Sequence, residues 1–255
     1  MSGLLVFVLL AGVTAAGQTV DEVIAKNIAA HGGLEKLRAI QSMRVTGRMT
    51  IGPGLEFPVV MEMKRPMKMR MEFTAQGMTG VQAYDGTNGW QIMPFMGKKD
   101  PEPLAGDDLK DAQEQADFEG PLVDYKAKGH QVELLGKENI EGADCYKIKL
   151  TKKDGDVQHY FLDTESFLEL KIAGKRMVRG TEVEFETSLG DYKDVGGIIM
   201  AHSIEIGAKG QPQRQRIIFE KVELNVEIDD SRFKMPAPAP AESKPAETKP
   251  PVNNR

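Results

Sequence analysis

Hydrophobic and polar positions alternate along most of this chain. From Met43 to Leu224 the dominant period is two, interrupted by turn residues at Gly52, Pro53 and Gly54, at Asp85 and Gly86, at Asp154 and Gly155, and at Gly196 and Gly197. That rhythm predicts a large antiparallel meander of half-buried strands. The clearest run is Val59 to Phe73, where Met61, Met63, Met67, Met69, Met71 and Phe73 take odd positions and Glu62, Lys64, Lys68, Arg70 and Glu72 take even ones. Successive side chains of a strand point to opposite faces, so one face here is apolar and the other charged. Pro66 cannot donate to a ladder and marks a hairpin turn inside the run. Tyr146, Ile148 and Leu150 against Lys147 and Lys149, and Val183 and Phe185 against Glu182, Glu184 and Glu186, repeat the alternation.

Helical spacing occurs in only a few places. Thr19 followed by Glu22 has the form of a capping box, and Val20, Val23, Ile24 and Ile28 then recur down to a Gly32, Gly33 stop, which predicts one amphipathic helix. A shorter turn of helix spans Leu34 to Ile40. Asp107 to Phe118 is rich in helix formers, with Leu104, Leu109, Ala112, Ala116 and Phe118 as sparse apolar positions, and reads as a helical insertion over one face of the sheet.

The two ends differ from this body. Leu4 to Val13 form a short apolar run ending in Thr14, Ala15, Ala16 and Gly17, so residues 1–17 read as an export signal, although no Lys or Arg precedes the run. A bilayer span needs about 20 apolar residues, more than this run offers. Residues 237–255 are Pro-, Ala-, Glu-, Ser- and Lys-rich and bury too little apolar surface to offset ordering entropy, which predicts a disordered tail. Residues 18–236 are left as one domain.

The net charge of -5 and pI near 5.6 exclude the basic face of a nucleic-acid binder. Cys145 is the single cysteine, so no disulfide forms within the chain, and its strand register points it away from the apolar side. His31, His130, His159 and His202 lack the spacing that places two metal ligands on one helix face. His31, at the end of the first helix, suits a polar cap. No serine-elbow, phosphate-loop or dinucleotide pattern occurs, and the acidic runs occupy solvent-facing registers. The expectation is therefore a protein that is not an enzyme, with no catalytic residue, metal or cofactor.

Methionine changes the picture. It supplies 14 of 255 residues, eight of them between Met61 and Met96. Its flexible, polarizable side chain adapts to varied hydrocarbon shapes. Alone, such a stripe is the pattern of an ordinary core; the shortage of helix to cover a long one-sided sheet shifts the reading to a hollow that something else fills. Trp90 and Phe95, with Ile92 in the register of Trp90, are expected to extend the same apolar wall.

The stretch Lys64 to Met96 resembles the LolA-like family of periplasmic lipoprotein carriers and its relatives LolB and LppX. Lys64, Arg65 and Pro66 open a strand, Tyr84, Asp85 and Gly86 make a turn, and Trp90, Pro94 and Phe95 follow. Looser matches lie at Phe161 to Asp163, Phe167 to Leu170, Asp191 to Met200 and Phe233 to Pro236. The resemblance implies a mainly β fold: a strongly curved antiparallel sheet, an incomplete β-barrel, with an N-terminal helix and a helical lid over its concave apolar face. It implies a soluble, monomeric periplasmic carrier or chaperone that binds lipid or lipoprotein acyl chains for transfer toward the outer membrane, between an inner-membrane donor and an outer-membrane acceptor. Met61, Met63, Met69, Met71, Phe73, Trp90, Ile92 and Phe95 would contact the chains, and Arg65 would hold the lid shut. The alternative use of such a fold is an envelope sensor or interaction module that binds a protein partner.

Overall fold

The computed structural model describes residues 18–237 apart from residues 53, 179 and 180; the expected export signal and nearly all of the expected tail lie outside the described residues. The chain begins with helix α1 (Val20–Ala30) and helix α2 (Leu34–Ala39). Six strands follow: β1 (Ser42–Ile51), β2 (Leu55–Lys64), β3 (Lys68–Ala75), β4 (Met78–Tyr84), β5 (Gly89–Met93) and β6 (Lys98–Pro103). Helix α3 (Gly106–Gln115) leads through a turn-rich segment into β7 (Gln131–Ile140), β8 (Ala143–Thr151), β9 (Val157–Asp163) and β10 (Glu169–Val178). The meander ends with β11 (Thr181–Val195), β12 (Ile198–Ala208) and β13 (Arg214–Leu224).

All of these strands belong to a single 13-stranded sheet in the order β6-β5-β4-β3-β2-β1-β13-β12-β11-β10-β9-β8-β7. Every pairing is antiparallel, and the two edges, β6 and β7, do not pair with each other. The result is an incomplete barrel. The chain jumps from one edge to the other between β6 and β7, and α3 travels on that jump. Short hairpins make every other connection, at the turn residues the sequence marks; Arg65 to Met67 form the β2–β3 turn, with a cis peptide before Pro66. At the β1–β13 seam the register shifts beside Gly47, whose absent Cβ would sit 2.1 Å from the Ile218 carbonyl oxygen. Only glycine allows the two strands that close a contact.

The helices and one face of the sheet make two cores on the inner side. Val23 and Ile24 of α1 pack on Ile148, Leu150, Tyr160 and Leu162 of β8 and β9, with Leu122. Leu104, Ala112 and Ala116, around α3, pack on Met43, Val45, Met63, Met69, Tyr84 and Phe219. The start of α1 is fixed by the capping box: the Glu22 backbone N–H donates to Thr19 Oγ1 at 3.2 Å and the Thr19 N–H to Glu22 Oε2 at 2.9 Å. Its other end is held by a polar cluster. His31 bonds the Ile199 carbonyl through Nδ1 and Glu169 through Nε2, both at 2.7 Å, while Asn27 donates to Glu169 and to the Phe167 carbonyl. Tyr192 donates to the Glu169 carbonyl at 2.6 Å. His31 is thus more than a helix cap; it ties α1 to β10 and β12.

The outer side is covered by the chain after β13. Glu62, 2% exposed, accepts from Arg44 at 2.9 Å and from Arg232 at 2.5 Å. Arg70 donates to the Arg232 carbonyl and pairs with Glu72, and Lys64 and Lys68 both hold Asp230. Residues 226–237 therefore form a strap clamped by ion pairs across β2 and β3. Cys145 is fully buried, with Asp163 and Glu138 opposite it in register, and burial pushes its thiol pKa up, as expected of an inert thiol.

Candidate functional site

Directly opposed residues on neighbouring strands share a face. Three rows on the inner face carry the expected hydrocarbon contacts: Leu224–Met43–Met63–Met69–Tyr84, Val222–Val45–Met61–Met71–Gln82–Gln91 and Phe219–Gly47–Val59–Phe73–Gly80. Phe95, in the 3₁₀ turn Pro94–Met96, joins them, its ring 5.3 Å from that of Phe73. Gly80 makes this pairing possible, because a Cβ there would come within 2.9 Å of both rings. Met61, Met63, Met69, Met71, Phe73 and Phe95 therefore lie on one wall.

Trp90 and Ile92 do not belong to it. Trp90 is opposite Ala83, which is opposite Arg70, so this register places it on the outer face, and Ile92 follows through Val81 and Glu72. There Trp90 is 2% exposed, packs with Val81 and Ala83, and donates from Nε1 to the Phe233 carbonyl at 2.7 Å. The expectation that these two extend the methionine wall is corrected by one register step: alternation along β5 turns Gln91, not Trp90, inward.

The wall divides into a roofed part and an open part. Met63 and Met69 are 6% and 1% exposed beneath α3, packed with Ala112 and Ala116. Leu104 and Leu109 lie on Gly89 at the foot of the same roof. Met61, Met71 and Phe73 are half-buried and Phe95 is exposed. Among the described residues, the inner rows of β1 to β5 and β13 carry no Asp, Glu, Lys or Arg.

Arg65, expected to hold a lid, bonds α2 and the segment that follows α3. Its Nε donates to the Ile40 carbonyl at 2.6 Å; one terminal nitrogen donates to the Leu37 carbonyl at 3.1 Å and to Glu119 Oε1 at 2.7 Å. The guanidinium also lies over the Phe118 ring at 5.1 Å. It thus joins the β2–β3 turn, the end of α2 and the segment following α3. On the far side Lys110 of α3 pairs with Asp154 and Asp156 of the β8–β9 turn at 2.7 and 2.5 Å, and Lys152 with Glu114 at 2.6 Å. Glu114, Asp154 and Asp156 approach within 4.8 Å, but Lys110 and Lys152 already supply the neutralising charge. Glu119 had no signal in the sequence beyond its place after the helical insertion.

Two open clefts lie elsewhere. One of about 800 Å³ is lined by Thr50, Gly52, Glu205, Arg214 and Arg216, and one of about 730 Å³ by Gln41, Ser42, Lys64, Asn225 and Asp230. Neither is lined by the expected acyl-contacting residues. Among the described residues no helix is long and apolar enough to cross a membrane.

The described residues thus form an open antiparallel barrel with an apolar inner wall beneath a helix, with Arg65 of the β2–β3 turn bonded to α2 and to the segment after α3. A model of the family described as "Uncharacterized protein" matches residues 81–237, and the chain belongs to that family. No curated protein matches it. Among solved structures it is similar to a DUF1329 family protein from Desulfovibrio piger, with a TM-score of 0.62 and 15% identity over 85% of this chain and 98% of that one. A Vibrio parahaemolyticus domain named for outer-membrane lipoprotein sorting gives 0.59 and 12% identity, over 83% of this chain and 94% of its own. A LolA superfamily protein from Nitrosomonas europaea gives 0.57 and 15% identity, over 85% and 98%. Likeness at this identity shows the fold.

Proposed function

We propose that the protein is a soluble periplasmic carrier or chaperone, not an enzyme, that takes lipid or lipoprotein acyl chains onto its inner wall for transfer toward the outer membrane. One observation carries the reading: an uncharged, methionine-rich wall is only partly covered by its own chain, and the cover is held by polar contacts at its two ends, Arg65 on one side and the Lys110 and Lys152 pairs on the other. Met61, Met71, Phe73 and Phe95 make first contact with a hydrocarbon, and Met63 and Met69 join when α3 lifts. Burial of an acyl chain yields about 0.8 kcal/mol per methylene, which a wall of this kind can match. Release then needs only an acceptor slightly more favourable than the cavity, because the bilayer is equally apolar.

The lipoprotein-sorting and LolA superfamily structures support this reading through fold only. Native mass spectrometry of the mature protein recovered from a periplasm tests it. Copurified lipid or acylated peptide is the expected result; a clean apo mass, together with no uptake of an apolar dye, would overturn it and favour an interaction module.

A further inference from the structure

Two neutral amides interrupt the apolar wall. Gln82 of β4 and Gln91 of β5 stand directly opposite each other on the inner face, in the row of Val45, Met61 and Met71. Both are half-buried, and neither side chain makes a hydrogen bond to the other or to any described residue. One row away on the roofed side are Tyr84 and Gly89, beneath Gln113 and Leu109 of α3; one row away on the open side Phe73 and Phe95 close over Gly80. The pair therefore sits at the border between the roofed and open parts of the wall, where a bound chain enters beneath the lid.

A glutamine amide offers an acceptor and two donors without charge. An ester carbonyl can accept from either NH2 group, and an amide linkage can also donate to a glutamine oxygen. A plain alkane over the same spot strips both amides of water and returns nothing, which costs about 1–3 kcal/mol for each group left unmade. An ionised carboxylate meets no cation along the inner rows of β1 to β5 and β13, and dehydrating it there is more costly still. Resting on the carrier reading above, we infer that Gln82 and Gln91 form a subsite for the neutral ester or amide linkage of an acylated cargo, and so select acylated molecules over free fatty acids.

The test is displacement of an environment-sensitive apolar dye from the full chain by competitors of matched length: an alkane, a methyl ester, a primary amide and an ionised fatty acid. The ester and amide should compete about tenfold better than the other two, equivalent to about 1.4 kcal/mol. The Gln82→Leu, Gln91→Leu double variant should lose that preference, chiefly because the alkane, no longer stripping two amides of water, now competes better. Should the double variant fail to fold, Gln91→Leu alone, removing one of the two amides, should narrow the preference. Equal displacement by all four competitors, or a preference that survives the substitutions, overturns the subsite and leaves the carrier standing. No displacement by any of them overturns both.

Discussion

Replacing Arg65 with leucine removes one of the lid's fastenings, leaving the Lys110 and Lys152 pairs in place, while keeping apolar bulk in the β2–β3 turn. Three hydrogen bonds disappear, to the Ile40 and Leu37 carbonyls and to Glu119, together with the guanidinium's stacking on Phe118. Hydrogen bonds to a charged group contribute about 1.5–3 kcal/mol each. Much of that is recovered, because the α2 carbonyls and Glu119 rehydrate as the lid rises. A net loss of about 2–4 kcal/mol of closure follows, and at about 1.4 kcal/mol per decade the open population grows roughly 30- to 700-fold. An environment-sensitive apolar dye should then bind the variant more tightly, and amide hydrogen exchange should speed up across residues 106–119. Exchange in β1 to β4 should hold, since those strands keep their ladders and outer-face ion pairs. Unchanged dye affinity with unchanged exchange in α3 would refute the latch. A uniform rise across the sheet would show instead that Arg65 serves global stability.

Met69→Ala should destabilise the fold by about 2–5 kcal/mol, the range for emptying a packed methionine site, whereas the half-buried Met71→Ala should cost well under that and weaken dye binding; denaturant midpoints beside dye titrations separate the two. The His31–Glu169 pair gives a pH signature. Burial opposes charge on His31, but the bond and charge of Glu169 outweigh it and raise its pKa, so its contribution is complete below the ordinary histidine range and fades as pH climbs through the raised value. Burial likewise opposes charge on Glu169, yet His31 holds its pKa below the usual carboxylate range, so that contribution is lost only as pH falls through the lowered value. The denaturant midpoint should accordingly be highest between these limits, and His31→Gln should flatten the alkaline limb; an unaltered limb refutes the assignment. Glu62→Ala leaves Arg44 and Arg232 facing one another without their carboxylate, but both are about a third exposed and can hydrate, so the loss is about 1–3 kcal/mol, read by thermal melting.

Much of this architecture was legible because local signals agreed with one another. The Thr19, Glu22 box, the Gly32, Gly33 stop and the turn glycines each name a boundary through backbone chemistry that needs no distant partner. The methionine register from Met61 to Met71 likewise survives folding intact, since alternation is a property of the strand itself. Arg65 was legible only through family likeness; nothing in its neighbours announces Glu119, 54 positions away. Trp90 and Ile92 were misplaced because a strand's period tells which residues share a face but not which face is inward. That choice was made by Gly89, whose missing side chain leaves room for Leu104 and Leu109, and by Phe233, which arrives 143 positions later to receive the indole N–H. Gln82 and Gln91 escaped notice for the same reason: an isolated glutamine in a strand looks solvent-facing until its partner strand is known.

The division of labour between the two faces explains how a sheet this large can leave part of its inner wall bare. Strand β2 turns Met61 and Met63 inward and Glu62 outward, so the same backbone is gripped by the C-terminal strap on one side while it offers hydrocarbon on the other. Phe233 is fully buried against that outer side, Trp90 is closed under it, and the ion pairs of Glu62, Glu72 and Asp230 hold the strap down. Part of the hold on β1 to β5 thus lies on the outer face, away from the methionine wall. Were the inner lid to carry the same energy, lifting it would unfold the strands beneath, and loading would compete with folding. Because the strap holds the strands from behind, the lid can rest on small apolar residues, Ala112 and Ala116 among them, and on polar ties at its ends, at Arg65 and at Lys110 and Lys152. Phe233→Ala should therefore lower the melting temperature, by about 3–5 kcal/mol of stability for a buried phenylalanine, yet leave dye affinity of the folded protein unchanged, the reverse of the outcome for Arg65→Leu. If both substitutions moved stability and dye binding together, the two faces would be one cooperative unit and the separation of holding from loading would fail.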